Sequence, residues 1–582
     1  MGKSRILLLV LILVLVFVLT SCKGKLPVGS SSLVNSVDSS NDLQSSSISS
    51  SDYFSSGNSS SDYFSSGISS SGSSNSSNNS SGNPSPTNSP KPRTFVSQLV
   101  NKNGRTYVEY LDNPYLMYGV QIRLDNLRAE GIIDTKKWEE LFAKTKDLNF
   151  QTIECQVVWT CVEYEKDKFD FYELGLILKW CNKYDLNLQI IWFGSNVAGG
   201  PTDVPKYILN DRATFPRNPL SPETHLDYSS PNLIAREQNA MNQMMKFIEK
   251  NDPQYRVVMV QVNAEPDNVQ GISFNWNDPV AVAKYMWGGG QADASINMMD
   301  KLGQVIKTSN RKVVTRAALI DQSYINSILR DKHYVRKIFD TVGIDLVGID
   351  NYDATLSSHT KLKDYINSEI PTGNIAYTPE AGGNCSNTIN QVMHAFSRGE
   401  GHLIYELRTS NSMPIDLDTG IFRRTTTWGW VERDGTFDVD VYPRMPYGKM
   451  KECKTSEVRD FNRMIYKADV KLASLPVSNI ATFNIDANTP STQSCGTYQI
   501  QYNSPTGGEA FAMCDTNGDL ILLSLYDLSK FTIQGKTIVG KASLGYYTKL
   551  GVWVEESTIS ASGNSIYLHP VNCVRISAGN IK

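Results

Sequence analysis

Val257-Val258-Met259-Val260-Gln261-Val262-Asn263 is an almost unbroken β-branched and apolar run that opens directly into Ala264-Glu265-Pro266. Such a run, closed by a Pro, reads as a short strand buried on both faces, as in a parallel sheet. A second stretch has the same form: Asn374-Ile375-Ala376-Tyr377-Thr378-Pro379 opens into Glu380-Ala381-Gly382-Gly383. Each strand delivers one carboxylate where it ends, beside Pro or Gly.

Outward from these two, the rhythm repeats. Candidate strands fall at 115–122, 151–159, 188–193, 257–263, 312–318, 343–350, 374–378 and 402–407. Amphipathic helical patterns lie between them, at 171–184, 230–250, 294–307 and 387–397. Another is capped by Asp134, with Trp138, Leu141 and Phe142 at i, i+3 and i+4. Eight strand–helix alternations predict a (β/α)8 TIM barrel. The alternative is a doubly wound open sheet, but no G-x-G-x-x-G follows the first strand. In a barrel, strands four and seven lie across the mouth from each other, and catalytic groups stand at C-terminal strand ends.

After residue 468 the pattern becomes short strands at 497–502, 510–514, 520–525, 531–534, 546–555, 565–568 and 573–576. This predicts a C-terminal all-β sandwich over 469–582. Within it, Asp515-Thr516-Asn517-Gly518-Asp519 looks like half a calcium loop, but its Gly comes early and no Glu closes it; a hairpin turn fits better.

Lys3 and Arg5 precede an apolar run from Ile6 to Leu19, which ends in Leu19-Thr20-Ser21-Cys22. Residues 1–22 read as a secretory signal, and the Cys after small residues resembles the bacterial lipobox. That resemblance implies a lipid on Cys22 and an extracytoplasmic, membrane-anchored protein. Residues 23–93 are Ser-rich and contain Ser51-Asp52-Tyr53-Phe54-Ser55-Ser56-Gly57 repeated ten residues on. With too little apolar surface for a core, they predict a disordered tether, leaving 94–468 for the barrel.

The formal net charge of −3 gives no basic stripe for nucleic acid. None of the nine Cys forms a C-x-x-C pair and the six His are scattered, so a zinc site is not expected. An exported chain is compatible with disulfides, but sequence leaves their pairing open. No G-x-S-x-G elbow argues for an esterase.

Two carboxylates facing each other across a pocket are what glycosidic cleavage uses. One donates a proton to the leaving oxygen; the other attacks the anomeric carbon or activates water. Val260-Gln261-Val262-Asn263-Ala264-Glu265 is similar to the fourth-strand motif of the β-galactosidase families 35 and 42. Trp159-Thr160-Cys161-Val162-Glu163, followed by Phe169-Asp170-Phe171, resembles their loop after strand two. These belong to the clan of retaining barrel glycoside hydrolases. The resemblance covers roughly 115–408 and implies Glu265 as acid/base and Glu380 as nucleophile, with no metal or organic cofactor. The clan places Asn directly before its acid/base, where it binds the sugar 2-hydroxyl; this chain has Ala264. Asn263 re-aimed by a bulge, or Asn196 after strand three, would fill that role.

Further candidates carry two readings each. Tyr352 resembles the tyrosine that hydrogen-bonds the nucleophile in this clan, or is an aromatic core residue. Arg123 is placed to hold a carboxylate. Glu406 ends strand eight and contacts sugar or pairs with an Arg. Glu163 reads as structural. Trp159, Trp192, Trp276, Trp287, Trp428 and Trp430 are stacking platforms or packed residues. The combined expectation is a cell-surface β-glycosidase acting on an oligo- or polysaccharide. The alternative is a non-catalytic carbohydrate-binding lipoprotein on a degenerate barrel.

Overall fold

In the computed structural model, three short antiparallel strands, β1 (Ser97–Lys102), β2 (Arg105–Tyr110) and β3 (Asn113–Tyr115), precede the barrel. They account for a difference from the sequence reading: the expected first strand splits at Leu116 and Met117, and Tyr115 closes this small sheet instead. The sheet plugs the N-terminal end of the barrel. Val96 N donates to Lys312 O at 2.9 Å, Val314 N donates to Ser97 Oγ at 2.9 Å, and Gln189 Nε2 reaches Tyr115 Oη at 3.0 Å. Val108, Tyr115 and Met117 pack there against Val258, Leu346 and Leu403.

Eight parallel strands follow: β4 (Tyr118–Ile122), β5 (Thr152–Val158), β6 (Asn187–Phe193), β7 (Val257–Gln261), β8 (Val314–Leu319), β9 (Leu346–Ile349), β10 (Tyr377–Gly382) and β11 (Gly401–Tyr405). Their spatial order is β10-β11-β4-β5-β6-β7-β8-β9. The two end strands meet just past β9, where Asn351 N donates to Glu380 O (2.8 Å) and Gly382 N to Asn351 O (3.2 Å). The architecture is the expected TIM-like barrel.

The structure describes residues 93–195, 203–217, 226–263, 279–319, 333–353, 355–382, 387–408 and 455–582, with backbone alone at 279–292 and 387. The expected signal, Cys22 and the Ser-rich stretch to residue 92 lie outside the described residues. So do Asn196, Ala264, Glu265, Trp276, Trp428, Trp430 and the Trp287 side chain. All described residues fall in the second of the chain's two units, Ser89–Lys582.

Helices cover the barrel where the sequence shows one apolar stripe. In α2 (Thr135–Asp147, after the short α1, Leu124–Ala129), Asp134 caps by accepting from Lys136 N at 2.9 Å, and Trp138, Leu141, Phe142 and Thr145 are buried. The long helix Pro231–Asn251 is capped by Ser230 and buries Met241, Met244, Met245 and Ile248. Among the described residues, no helix is long and apolar enough to cross a membrane.

The C-terminal region forms two antiparallel sheets, one of six strands and one of four. The expected strand 546–555 is in fact a hairpin, Lys541–Tyr547 and Trp553–Ser560, and strands Ile480–Ile485 and Ser491–Cys495 are additional. Within the six-stranded sheet, the strands Gly508–Cys514 and Leu520–Ser524 are buried on both faces. Phe511, Met513, Ile521 and Leu523 join the barrel's core, while Ala510, Ala512, Leu520 and Leu522 face the smaller sheet. The two-sided burial explains the unbroken apolar runs at 510–514 and 520–525. Asp515 to Asp519 makes the hairpin between Gly508–Cys514 and Leu520–Ser524, with Gly518 at φ 86°. The Asp519 carboxylate is held there by Arg575 and Ala578 N. The described Cys155, Cys161, Cys181, Cys495, Cys514 and Cys573 are free thiols.

Candidate active site

Glu380 stands inside β10, not after it, and a bulge decides where it points. Thr378 pairs with His402 and Ala381 with Ile404, so three residue steps on β10 match two on β11. Tyr377 faces the barrel interior, and plain alternation would send Glu380 outward. The extra residue at Pro379–Glu380 turns Glu380 inward instead. Pro379 has no N–H to lose from the ladder. The opposing residue on β9 is Gly348, where a Cβ would lie 2.6–2.7 Å from the Tyr377 ring and Pro379; only glycine leaves room for the bulge.

Glu380 is 9% exposed, and its carboxylate is held on both oxygens. Gln121 Nε2, from β4, donates to Oε1 at 2.8 Å; Tyr352 Oη, just after β9, donates to Oε2. Tyr352 is thus one of the two donors to this carboxylate. Its ring meets Tyr405 edge-on at 5.6 Å between centroids.

Arg123, also on this face, binds Asp125 through two bonds, Nε–Oδ1 at 2.9 Å and Nη2–Oδ2 at 2.6 Å, and reaches Tyr405 Oη at 3.3 Å. Its guanidinium lies over the Phe193 ring, 5.3 Å from the centroid. Burial opposes its charge, but Asp125, Tyr405 and Glu380 hold it above its ordinary value. Thus Arg123 does hold a carboxylate, that of Asp125, and its charge also reaches Glu380. Nearby, burial and then the Asp125 charge push the Asp203 carboxyl up to about 7.

The remaining candidates separate. Asn263 is buried, with Nδ2 donating to Ala318 O at 2.9 Å, while its carbonyl accepts from Gln261 Nε2 at 2.7 Å. It locks the end of β7 against β8, directly before Ala264 and Glu265. Glu406 is buried and accepts from Asn126 Nδ2 at 3.4 Å. Of the two readings for Trp159, the packed one applies. It is fully buried, with its indole N–H on Glu163 Oε2 at 3.0 Å, and offers no ring face to a substrate. Trp192 is likewise buried, donating to Glu237 Oε1 at 2.8 Å. Glu163 is structural, accepting from Asp167 N and pairing with Arg236.

Sequence reasoning missed Gln121, Asp125 and Tyr405. It also missed that the barrel interior is polar where branched apolar residues are usual. Gln121, Glu154, Gln189, Gln261 and Arg316 are all buried below the mouth. Their signal is in the sequence: single polar residues inside otherwise apolar strands, as in Tyr118-Gly119-Val120-Gln121-Ile122.

Chemically, the arrangement is a fixed carboxylate with hydrogen-bond donors on both oxygens at the mouth of a barrel. Among the described residues, no group of three or more His, Cys, Asp or Glu is placed to hold a metal ion.

Among known proteins, the family described as a domain of unknown function (DUF4978) matches residues 294–490, about a third of the chain. No curated protein matches. Solved structures with similar folds include a β-galactosidase from the psychrophilic Marinomonas ef1, with 10% identity and a TM-score of 0.43, covering 62% of each chain. The chain thus spans under two thirds of that protein. A family 39 glycoside hydrolase from the gut symbiont Bacteroides cellulosilyticus WH2 shares 11% identity at a TM-score of 0.39, covering 81% of this chain and 84% of that one. A GH5 subfamily 18 protein from Bifidobacterium longum, solved with Manβ1-4GlcNAc, shares 9% identity at 0.40, covering 56% and 75%. At these identities the likeness concerns the fold.

Proposed function

We propose that this chain is a retaining β-glycosidase of the cell surface, β-galactosidase-like in its barrel motifs, with Glu380 as nucleophile and Glu265 as acid/base. One observation carries the reading: Glu380 is turned by a bulge into the barrel mouth and held by Gln121 on one oxygen and Tyr352 on the other. Two donors leave the carboxylate little rotational freedom, which suits attack along a single line. Both donors are weak acids, so they orient the group without competing for the proton chemistry.

The reaction is a double displacement. A Glu380 oxygen bonds to the anomeric carbon as the leaving oxygen departs with the proton from Glu265; Glu265 then takes a proton from water, which displaces the ester. Glu265 belongs to this scheme through its sequence position, two residues past Asn263 at the end of β7. Lipidation of Cys22 and a flexible Ser-rich segment would hold the barrel outside the membrane, within reach of an oligo- or polysaccharide.

The test is a panel of aryl β-glycosides, β-galactosides included, assayed with wild type and Glu380→Ala. Turnover by wild type and its loss in the folded variant is the expected result. Equal turnover by both removes Glu380 from the chemistry. No turnover, with saturable binding of oligosaccharide, favours the non-catalytic sugar-binding reading that Ala264 suggests.

A further inference from the structure

Beneath the mouth, the barrel contains a complete ion pair. Arg316, from β8, and Glu154, from β5, both face the interior from opposite sides and meet head to head, each fully buried. Burying two charges is costly and is seldom repaid by the pair's own attraction, so a pair in the middle of a barrel calls for another reason. Its surroundings supply one. Glu154 is the direct register partner of Gln121, whose amide holds Glu380. Arg316 lies over the Tyr377 ring, 5.6 Å from the centroid, and Tyr377 is three residues before Glu380 on β10. The guanidinium meets Glu154 through Nη2, and its Nε and Nη1 have no hydrogen-bond acceptor among the described residues. Part of the cation is therefore not matched locally, and it faces the strand that carries Glu380.

We propose that Glu154 and Arg316 are positioning residues for Glu380, the pair setting the electrostatic potential in which the proposed nucleophile works. This rests on the glycosidase reading above for its kinetic consequence. The charged and titratable groups facing Arg316 are Glu154, Asp350, Tyr377, Tyr115 and Glu380; those facing Glu380 include Arg123, Tyr352, Tyr405 and Arg316. Burial pulls the Arg316 guanidinium down, while Tyr377, Asp350, Tyr115 and Glu380 support its charge. With the Arg123 charge matched by Asp125, the balance between Glu154 and Arg316 is the adjustable part of this field.

The prediction has two opposite signs. Glu154→Gln preserves shape and leaves the Arg316 charge unmatched, making protonation of Glu380 harder. The acid limb of kcat/KM should move down by about one pH unit, a gain of about tenfold on the acid side. Arg316→Gln removes the cation and leaves the Glu154 carboxylate as the unmatched charge, making protonation of Glu380 easier, so the acid limb should move up by about as much. The double variant should lie between the two. Thermal unfolding checks that each full-length variant is folded; if Glu154→Gln does not fold, Arg316→Gln and the double variant carry the test. A structural role would lower activity without opposite shifts, so unchanged acid limbs in folded, active variants overturn the proposal. An infrared titration of the carboxylate band, with Glu380→Gln subtracted, reads the same shifts without substrate. Shifts there without glycoside turnover by wild type would sink the glycosidase reading and keep the pair's role. Turnover without shifts would do the reverse.

Discussion

The amide of Gln121 and the carboxylate of Glu380 meet inside the barrel mouth, Nε2 to Oε1 at 2.8 Å, although the two residues are 259 positions apart. Replacing the amide by Leu removes a hydrogen bond to a charged group, worth about 1.5–3 kcal/mol. kcat/KM should fall by about ten- to a hundredfold with little change in fold. Gln121→Glu is the more telling variant: two carboxylates at this distance cannot both ionise freely. Its acid limb should move up by at least about one pH unit. A pH profile identical to wild type would show that Gln121 does not touch the working form of Glu380.

The bulge at Pro379–Glu380 is tested through Gly348. A Cβ at that position meets the Tyr377 ring and Pro379 at 2.6–2.7 Å, and Tyr377 is tied by its hydroxyl to Ala317 O at 2.9 Å. Pro379 is the less restrained neighbour, so Gly348→Ala should push on the bulge. Overpacking of this kind costs about 1–3 kcal/mol, while a small displacement of Glu380 should lower kcat by more than about tenfold. A loss of stability with full kcat would show that the bulge absorbs the methyl without moving the carboxylate.

Behind the loop that carries Tyr352 lies a buried pair of imidazoles. His359 Nε2 bonds to Asp353 O at 2.9 Å, and its ring centroid is 5.4 Å from that of His402. Burial, then the neighbouring Lys363, pulls His359 down to about 3, and His402 is also held far below its ordinary value by burial. The unfolded chain takes up a proton at each site near pH 6.5 that the folded chain excludes. Stability from each is therefore complete above pH 6.5 and falls by about 1.4 kcal/mol per pH unit below it, for His359 until about pH 3. His359→Gln and His402→Gln remove that slope. In urea titrations, the stability gap between wild type and each variant should shrink by about 2 kcal/mol from pH 6.5 to pH 5. A gap independent of pH would mean that the imidazoles are not kept neutral.

The lipobox-like Leu19-Thr20-Ser21-Cys22 and the Ser-rich segment after it make a joint prediction. Cys22→Ala should move the protein out of the membrane fraction. Limited proteolysis should cut within 23–92 and leave a folded fragment starting near Arg93, whose guanidinium pairs with Asp112 and whose N–H meets Tyr255 Oη at 3.1 Å. Unchanged fractionation, or protection of 23–92 from amide exchange, would contradict the anchor or the tether respectively.

The barrel was legible because buried parallel strands leave nearly continuous apolar runs, and Val257 to Val262 or Leu188 to Phe193 can hardly be read otherwise. Strand ends were misjudged where polar residues remain inside the ladder, as with Glu380 in β10. The turn between Tyr547 and Trp553 was missed because its Thr548-Lys549-Leu550-Gly551-Val552 sits between two apolar flanks that read as one run. Glu380 stood out as a carboxylate beside Pro and Gly near the end of an apolar run, and Tyr352 through its resemblance to a tyrosine of the clan. Gln121 did not: a lone amide in an apolar strand marks a polar interior position, but its role exists only once β4 and β10 come together. Trp159 shows the converse, since an aromatic side chain reads the same in sequence whether it faces sugar or core.

The division of labour between Glu265 and Glu380 is testable by chemical rescue. Removing Glu380 deletes the group that forms the covalent intermediate, so Glu380→Ala should be inactive on every glycoside, activated or not. Removing Glu265 withdraws only proton transfer, so Glu265→Ala should retain activity on aryl glycosides whose leaving groups need little protonation, and lose far more on unactivated sugars. Azide is small, anionic and needs no base to attack. Added to Glu265→Ala, it should enter the space of the missing carboxyl and displace Glu380 from the anomeric carbon, the second of two inversions. The product should therefore be a β-glycosyl azide from a β-glycoside. Azide rescue of Glu380→Ala proceeds by one inversion and gives the α-azide. Products of the opposite anomeric form in the two variants would exchange the roles of the two glutamates, and full activity in both would remove the double-displacement mechanism.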